Sequence, residues 1–213
     1  MSATGGPTGS RDARASYHHG DLREALIRSA LDLIAARGPS ALAFAEIARA
    51  VGVSPAAPYR HFRDRNALIA EIARRGFERF TAELEAGWNA GRPDPIRAME
   101  TCGRAYLSFA RREPAWYAAM FSPGFPLEES PALLLASERA FAVVRRAAEL
   151  ACSGHPGRPP PLMVALHVWS LAHGIASLFV GGPDGTRRKL PMSPEHLLEA
   201  GLLIYMQSLS PRA

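Results

Sequence analysis

The sequence predicts an all-α protein, with a three-helix head carrying a helix-turn-helix and a C-terminal helical bundle that forms a homodimer. Apolar residues recur at steps of three and four along most of the chain, which is the period of a helix face, and no useful length of strict alternation interrupts them. Prolines punctuate that pattern: Pro114, Pro131, Pro161 and Pro194 stand at or just before the starts of periodic runs, where a missing N–H and a fixed φ are tolerated. Hydrophobic residues make up 47% of 213 positions, enough for a sizeable core and too many for wholesale disorder.

Residues 1–16 are rich in Gly, Ser, Thr, Pro and Arg and read as a disordered tail. From 17 the pattern turns helical. Leu22, Leu26, Ile27, Ala30, Leu31 and Ile34 form one apolar stripe that ends near Gly38-Pro39. Phe44, Ile47, Ala48 and Val51 make a short second helix stopped at Gly52. Ser54-Pro55 opens a third, because serine can cap and proline suits the first helical position. A long fourth helix runs from Asn66 to Ala90 with Leu68, Ile69, Ile72, Phe77, Phe80 and Leu84 on one side. Beyond the break at Gly91-Arg92-Pro93-Asp94-Pro95, helices are expected at 96–112, 115–121, 132–152, 162–180 and 195–209. The chain therefore divides into a tail (1–16), a helical head (17–80) and a longer helical part (81–213).

Charge sharpens the division. The net formal charge is +5, and all but Lys189 of the 25 basic residues are arginine. Residues 1–80 hold 12 Arg against 8 acids, and residues 81–213 hold 13 basic residues against 12 acids. The excess lies in the head, where an anionic partner would dock.

The segment Phe44 to Phe62 carries most of the information. Ala48 is small enough for two helices to cross closely, and Gly52 supplies the positive φ of a tight turn. Ile47, Val51 and Val53 pack the corner, and Phe62 turns back to the core. That leaves Ala56, Ala57, Tyr59, Arg60 and His61 near an outer face, where a recognition helix meets base edges in the major groove. A plain helical hairpin in an Ala-rich bundle would share part of this pattern.

The stretch Tyr17-His18-His19-Gly20-Asp21-Leu22-Arg23, with Glu46-Ile47-Ala48, Gly52-Val53-Ser54 and Tyr59-Arg60-His61-Phe62, resembles the DNA-binding domain of the TetR/AcrR family of bacterial repressors. Trp169-Ser170-Leu171-Ala172-His173-Gly174 is similar to the Trp…His-Gly signature of one C-terminal domain type in that family. The resemblance implies a dimeric transcription regulator, usually a repressor, with a DNA-binding domain over 17–80 and a ligand-binding and dimerisation domain over 81–213 that holds a pocket for a small apolar or amphipathic inducer; the two cysteines, Cys102 and Cys152, fit a reduced, cytoplasmic setting. The resemblance also implies that Tyr59 and His61 touch phosphates or neighbouring bases, together with Ser54, Pro55, Ala56, Ala57 and Arg60. Arg65 stands where the family usually has lysine near a phosphate, and its fork could hold two oxygens. His18 and His19 would cap the first helix and meet phosphate, while Arg11 and Arg14 could enter a minor groove.

Three departures from the family pattern matter. Ala43 replaces the usual Ser or Thr before Phe44, removing a cap worth about 1 kcal/mol. Ala45 replaces an arginine that can reach a base. Pro58 replaces leucine and deletes a backbone donor. The second helix is thus expected to read fewer bases.

In the C-terminal part, Tyr106, Phe109, Trp116, Tyr117, Met120, Trp169 and His173 are candidates for an apolar pocket with a few polar groups. Trp169 and His173, four apart, share a helix face. Ala172, Gly174, Ala176 and Ser177, with Leu197, Leu198, Leu202, Leu203, Ile204 and Met206 of the last helix, suggest a four-helix interface between two chains. Residues 162–180 lack Asp, Glu, Lys and Arg over a membrane-spanning length, but a buried interface helix is the expected reading, with no membrane partner. No catalytic motif, cofactor loop or metal-ligand spacing stands out, so no enzyme activity, cofactor or metal is expected. The alternatives are a small helical enzyme or ligand carrier with an incidental helix-turn-helix, or an architectural DNA binder without a ligand.

Overall fold

The computed structural model describes the backbone of residues 12–122, 130–153, 159–179 and 191–208, and side chains within these from 22 to 205. These residues form helices and no strands. In chain order the α-helices are α1 (Asp12–Arg37), α2 (Phe44–Val51), α3 (Arg65–Trp88), α4 (Pro95–Arg112), α5 (Pro114–Met120), α6 (Pro131–Cys152), α7 (Pro161–Phe179) and α8 (Pro194–Ser208). Helix α1 begins at Asp12, so residues 12–16 of the expected tail are its first turns. Residues 1–11, with Arg11, lie outside the described residues.

Helices α4 to α8 each start at the proline itself, one residue before the expected position. The first helical N–H has no acceptor in any helix, so proline loses nothing there. Asp94 adds a cap at α4, its carboxylate accepting from Ile96 N at 3.1 Å and Arg97 N at 3.0 Å. Asp64 does the same for α3, accepting from Ala67 N at 2.8 Å.

Helix α3 organises the molecule. Leu68, Ile72, Gly76, Phe80, Leu84 and Trp88 are buried at every fourth position, with Ile69, Ala73 and Phe77 buried beside them. The row packs against α4, α5 and α6, and α5 in turn packs against α1 of the head. The boundary expected at residue 80 therefore falls inside a continuous helix, and a single core cluster runs from Leu26 to Leu202.

Two glycines seat α8. A Cβ on Gly103 of α4 would lie 2.8 Å from the Leu198 side chain, and one on Gly201 would lie 2.8 Å from Leu171 of α7. Leu198 and Leu202 are consequently core residues, as are Ala172 and Ala176 of α7. The small residues expected to face a partner thus divide. Ala172 and Ala176 pack inward, and Gly174 and Ser177 are exposed. Leu203 and Ile204, 59% and 68% exposed, lie on the solvent side of α8. The side chain of Met206 lies outside the described residues.

A charged knot ties α1 to α3. Glu71, half-buried, accepts from Arg23 at 3.1 Å, from Arg74 at 3.0 Å and from Arg75 at 2.8 Å, and Arg75 also forks onto Glu24. Burial alone would raise the Glu71 carboxyl, but the hydrogen bonds of Arg74 and Arg75 outweigh it and bring the pKa down to about 2. A carboxylate with a depressed folded-state pKa stabilises above its unfolded value of 4.5, and the contribution fades as pH falls through the folded value. Glu71→Gln is expected to cost about 2 kcal/mol at pH 7, between an exposed and a buried pair. Chemical denaturation of both forms should show that gap closing between pH 4.5 and 2. A gap constant with pH would contradict this account.

Candidate nucleic-acid interface

The outer face of the head is built on a short amphipathic helix and an irregular turn. In α2, Phe44, Ile47 and Ala48 are buried. Gly52 follows in the left-handed region at φ 76°, its N–H donating to Ala48 O and Arg49 O. Ala43 precedes α2 with no side-chain cap, as its methyl requires. Arg37 and Glu46 form an ion pair that joins the end of α1 to α2.

The expected third helix is not an α-helix. Residues 55–57 are turns, and Pro58–Arg60 form one 3₁₀ turn. Its bonds are mostly of the i to i+3 type, with Ala57 N to Ser54 O at 2.9 Å, Arg60 N to Ala57 O at 3.1 Å and His61 N to Pro58 O at 3.0 Å. The physical reason is Pro58. It has no N–H to offer Ser54 O, so the α-type bond is lost there and the segment closes through i to i+3 bonds, although Ala57 before it keeps α-region angles at φ −63° and ψ −41°.

The turn is nevertheless held firmly. Phe62 is 4% exposed, and Phe62 N donates to Pro58 O at 2.9 Å. The Arg23 guanidinium lies over the Phe62 ring at 5.0 Å. On the outer side, Ser54, Pro55, Ala56, Tyr59 and Arg60 are exposed, and Ala57 and His61 are half-buried. Tyr59 is 61% exposed but rests one ring edge on Phe44, with centroids 4.9 Å apart. Seven predicted residues therefore share one protruding surface.

Arg65 differs from them. It is the first residue of α3, half-buried, and its Nη2 donates to Pro39 O at 2.6 Å. The side chains of His18 and His19 lie outside the described residues, although their backbone is part of α1. Arg63 was not among the expected residues, yet its side chain is 86% exposed beside this surface, with Nε on Asp64 at 2.9 Å. Its place between His61 and Arg65 was the available sequence signal. A groove of about 480 Å³ lies between the turn and the start of α6, lined by residues that include Arg23, His61, Arg63, Arg74 and Ser130.

The C-terminal candidates fall into two groups. Phe109 packs on Phe80, and Trp116 and Met120 of α5 lie against α3 at Gly76, with Arg79 above the Trp116 ring at 4.5 Å. Tyr106, Tyr117, Trp169 and His173 come together. His173 Nδ1 is 2.9 Å from Tyr106 Oη and 2.8 Å from Tyr117 Oη, and the hydroxyls are 3.4 Å apart. The Trp169 and Tyr106 rings meet edge to face at 5.4 Å, and Phe121 lies 4.6 Å from the His173 ring.

Burial sets the protonation of this cluster. It lowers the pKa of His173, keeping the ring neutral at pH 7, and raises both tyrosines, Tyr117 to about 12. The hydroxyls are therefore donors. A neutral Nδ1 has one lone pair, so only one hydroxyl can donate to it at a time. Each phenol oxygen also accepts, so one hydroxyl can donate to Nδ1 while the other donates to its neighbour's oxygen, and the three groups form one connected network. The adjoining void, lined by Leu84, Met99, Tyr106, Val168 and Trp169 among others, measures about 10 Å³. That is room for roughly one water, so a ligand would have to move these rings.

Among the described residues, no group of three or more His, Cys, Asp or Glu could hold a metal ion. Cys102 is buried, and desolvation pushes its thiol up to about 12, which leaves it unreactive. Helix α7 is long and apolar enough to cross a membrane by length and composition. Its inner side is packed in the core through Val164, Ala165, Val168, Ala172, Ile175 and Ala176.

Comparison with known proteins bears on both halves. A family model described as bacterial regulatory proteins, tetR family, matches residues 26–72, and one described as tetracyclin repressor-like, C-terminal domain, matches residues 99–203. Among curated proteins, none matches. A solved protein of unknown function from Rhodococcus sp. RHA1 is 29% identical, with a TM-score of 0.72, over 92% of this chain and 98% of that one. The TetR family transcriptional regulator PfmR from Thermus thermophilus is 20% identical, with a TM-score of 0.67, over 87% and 99%. The fatty acid degradation regulator FadR from Bacillus halodurans is 12% identical, with a TM-score of 0.68, over 89% and 97%. The last two similarities are of fold.

Proposed function

Since this chain belongs to the tetR family of bacterial regulatory proteins, whose fold serves DNA-binding transcription regulation, we propose that it is a ligand-responsive repressor. It acts in the cytoplasm as a homodimer on a palindromic operator, without catalysis. The observation that carries this reading is the exposed surface from Ser54 to His61, raised on the buried Ile47 and Phe62. Arg60 and Tyr59 face outward there, on the half of the chain that holds the basic excess. Two such surfaces related by a two-fold axis would meet half-sites about one DNA turn apart.

Pairing is supported by α7 and α8. Leu162, Met163, Leu166, Leu178, Leu203 and Ile204 are all substantially exposed, a large apolar area for a lone chain. A Cβ placed on Gly174 would meet nothing within 4 Å, so a second helix could approach there. The charge-free composition of α7 is that of an interface helix.

The effector would be a small amphipathic molecule that replaces hydrogen bonds of Tyr106, Tyr117 and His173 while displacing Phe121 or Trp169. Tyr117 is carried by α5, which packs against α1, α3 and α4. Parting α5 from α7 would therefore shift the head, and a ligand binding the two states differently by a few kcal/mol would release DNA.

Binding to DNA selected by the purified protein from a random pool tests the reading. Affinity should fall steeply as salt rises, because bound phosphates displace counterions. Arg60→Ala should cost about 1–3 kcal/mol and relax sequence preference. Unchanged binding by that variant would remove Arg60 from the interface, and a salt-independent affinity would favour the ligand-carrier alternative.

A further inference from the structure

Arg65 breaks the pattern of the other cations near the recognition turn. Arg60 and Arg63 are exposed. Arg65 instead points into the head, its Nη2 on the carbonyl of Pro39, 26 residues earlier, at 2.6 Å. Its Nε is fully shielded from solvent and has no hydrogen-bond partner. A side chain placed to grip an external phosphate would show its donors to water. This one hides a donor, which costs free energy, and gains a charge-assisted bond to backbone.

The place of that bond explains its use. Pro39 begins the 3₁₀ turn Pro39–Ala41, and Leu42 N shares the same carbonyl at 3.3 Å. Leu42 is 4% exposed, and Ala43 directly precedes α2. Ala43 provides no side-chain cap, so the start of α2 lacks the usual local tether. From α2 the chain passes through Gly52 and the Pro58–Arg60 turn to Asp64, which caps α3. The Arg65–Pro39 bond joins the two ends of that path. It closes a ring whose outer arc is the protruding surface.

We infer that Arg65 is a positioning residue for DNA reading, a clasp that holds α2 and the recognition turn at a set distance rather than a phosphate contact. The inference rests on the DNA-binding reading above. The buried Phe44 and Ile47 and the Arg37–Glu46 pair hold α2 on the head, and the Arg65–Pro39 bond adds a tie between the approach to α2 and the start of α3.

Methionine and lysine at position 65 separate the two roles. Arg65→Met removes both the charge and the clasp. Arg65→Lys keeps the charge, but its ammonium ends one C–N bond, about 1.3 Å, short of Nη2 and loses Pro39 O. Affinity for selected and random-sequence DNA would be measured against salt, with thermal melts confirming that each variant is folded. For a clasp, both variants lose about tenfold in preference for selected over random DNA, while the slope of log affinity against log salt stays at the unaltered protein's value. The inference is overturned if Arg65→Met lowers that slope by about one, the signature of a lost phosphate contact. Preference retained by Arg65→Met, or by Arg65→Lys, overturns it equally. Should Arg65→Met fail to fold, Arg65→Lys decides alone. An unaltered protein with no salt-dependent binding sinks the DNA reading and the clasp together.

Discussion

Truncating Phe80 to alanine is expected to cost about 3–5 kcal/mol of folding free energy, the range for removing a fully buried aromatic side chain. Phe80 has no exposed surface and sits midway along α3. Its ring meets Tyr106 edge to face at 4.8 Å, Phe109 at 5.0 Å and Trp169 at 6.0 Å. Each such pair adds about 0.5–1.5 kcal/mol beyond area burial. Domain stabilities are about 5–15 kcal/mol, so this one change would consume a large share. Because α3 runs through both halves, the head should melt with the bundle. Denaturation followed by far-UV circular dichroism and by tryptophan fluorescence should coincide for the unaltered protein, and both should shift to lower denaturant together in Phe80→Ala. Phe80→Leu, which keeps most of the volume, should cost about 1 kcal/mol. A head transition left in place while the bundle transition moves would show two independent units instead of one core.

The second large effect concerns assembly. Leu203→Glu with Ile204→Glu places two carboxylates on the outer face of α8, where both residues are more than half exposed. In a single chain the change touches solvent and should leave the melting temperature nearly unaltered. In a dimer it would bury charge without partners, which is strongly disfavoured. Light scattering should show the unaltered protein at twice the chain mass of 23.0 kDa and the variant at 23.0 kDa. Operator affinity should fall by about a hundredfold or more, because the second head no longer binds as a tethered partner. An unaltered protein that is monomeric at micromolar concentration would refute the pairing reading.

Much of the architecture is legible in the order of residues alone. Local rules state where helices start and stop, and this chain obeys them: proline at the first position of α4 to α8, Asp caps at α3 and α4, glycine with positive φ after α2. The spacing of Leu68, Ile69, Ile72, Phe77, Phe80 and Leu84 announces most of the buried side of α3, which Gly76 and Trp88 complete in the structure. The exposed surface from Ser54 to His61 follows from the burial pattern of its neighbours. The shape of that surface does not, because Pro58 leaves its segment a choice between a kinked helix and a tight turn. Packing of Phe62 and Tyr59 against the head settles which is formed.

What the sequence determined alone is helical content, the division of charge between the halves, and the identity of the protruding residues, since each depends on neighbours within a turn or two. Tertiary structure decided the partners. Arg65 could have pointed outward or to Pro39, Ala172 and Gly174 could have faced either way, and Tyr106, Tyr117 and His173 lie 11 to 67 positions apart. Contacts between residues so far apart depend on how whole helices stack. Stacking is set by the summed fit of many side chains, which no local pattern encodes.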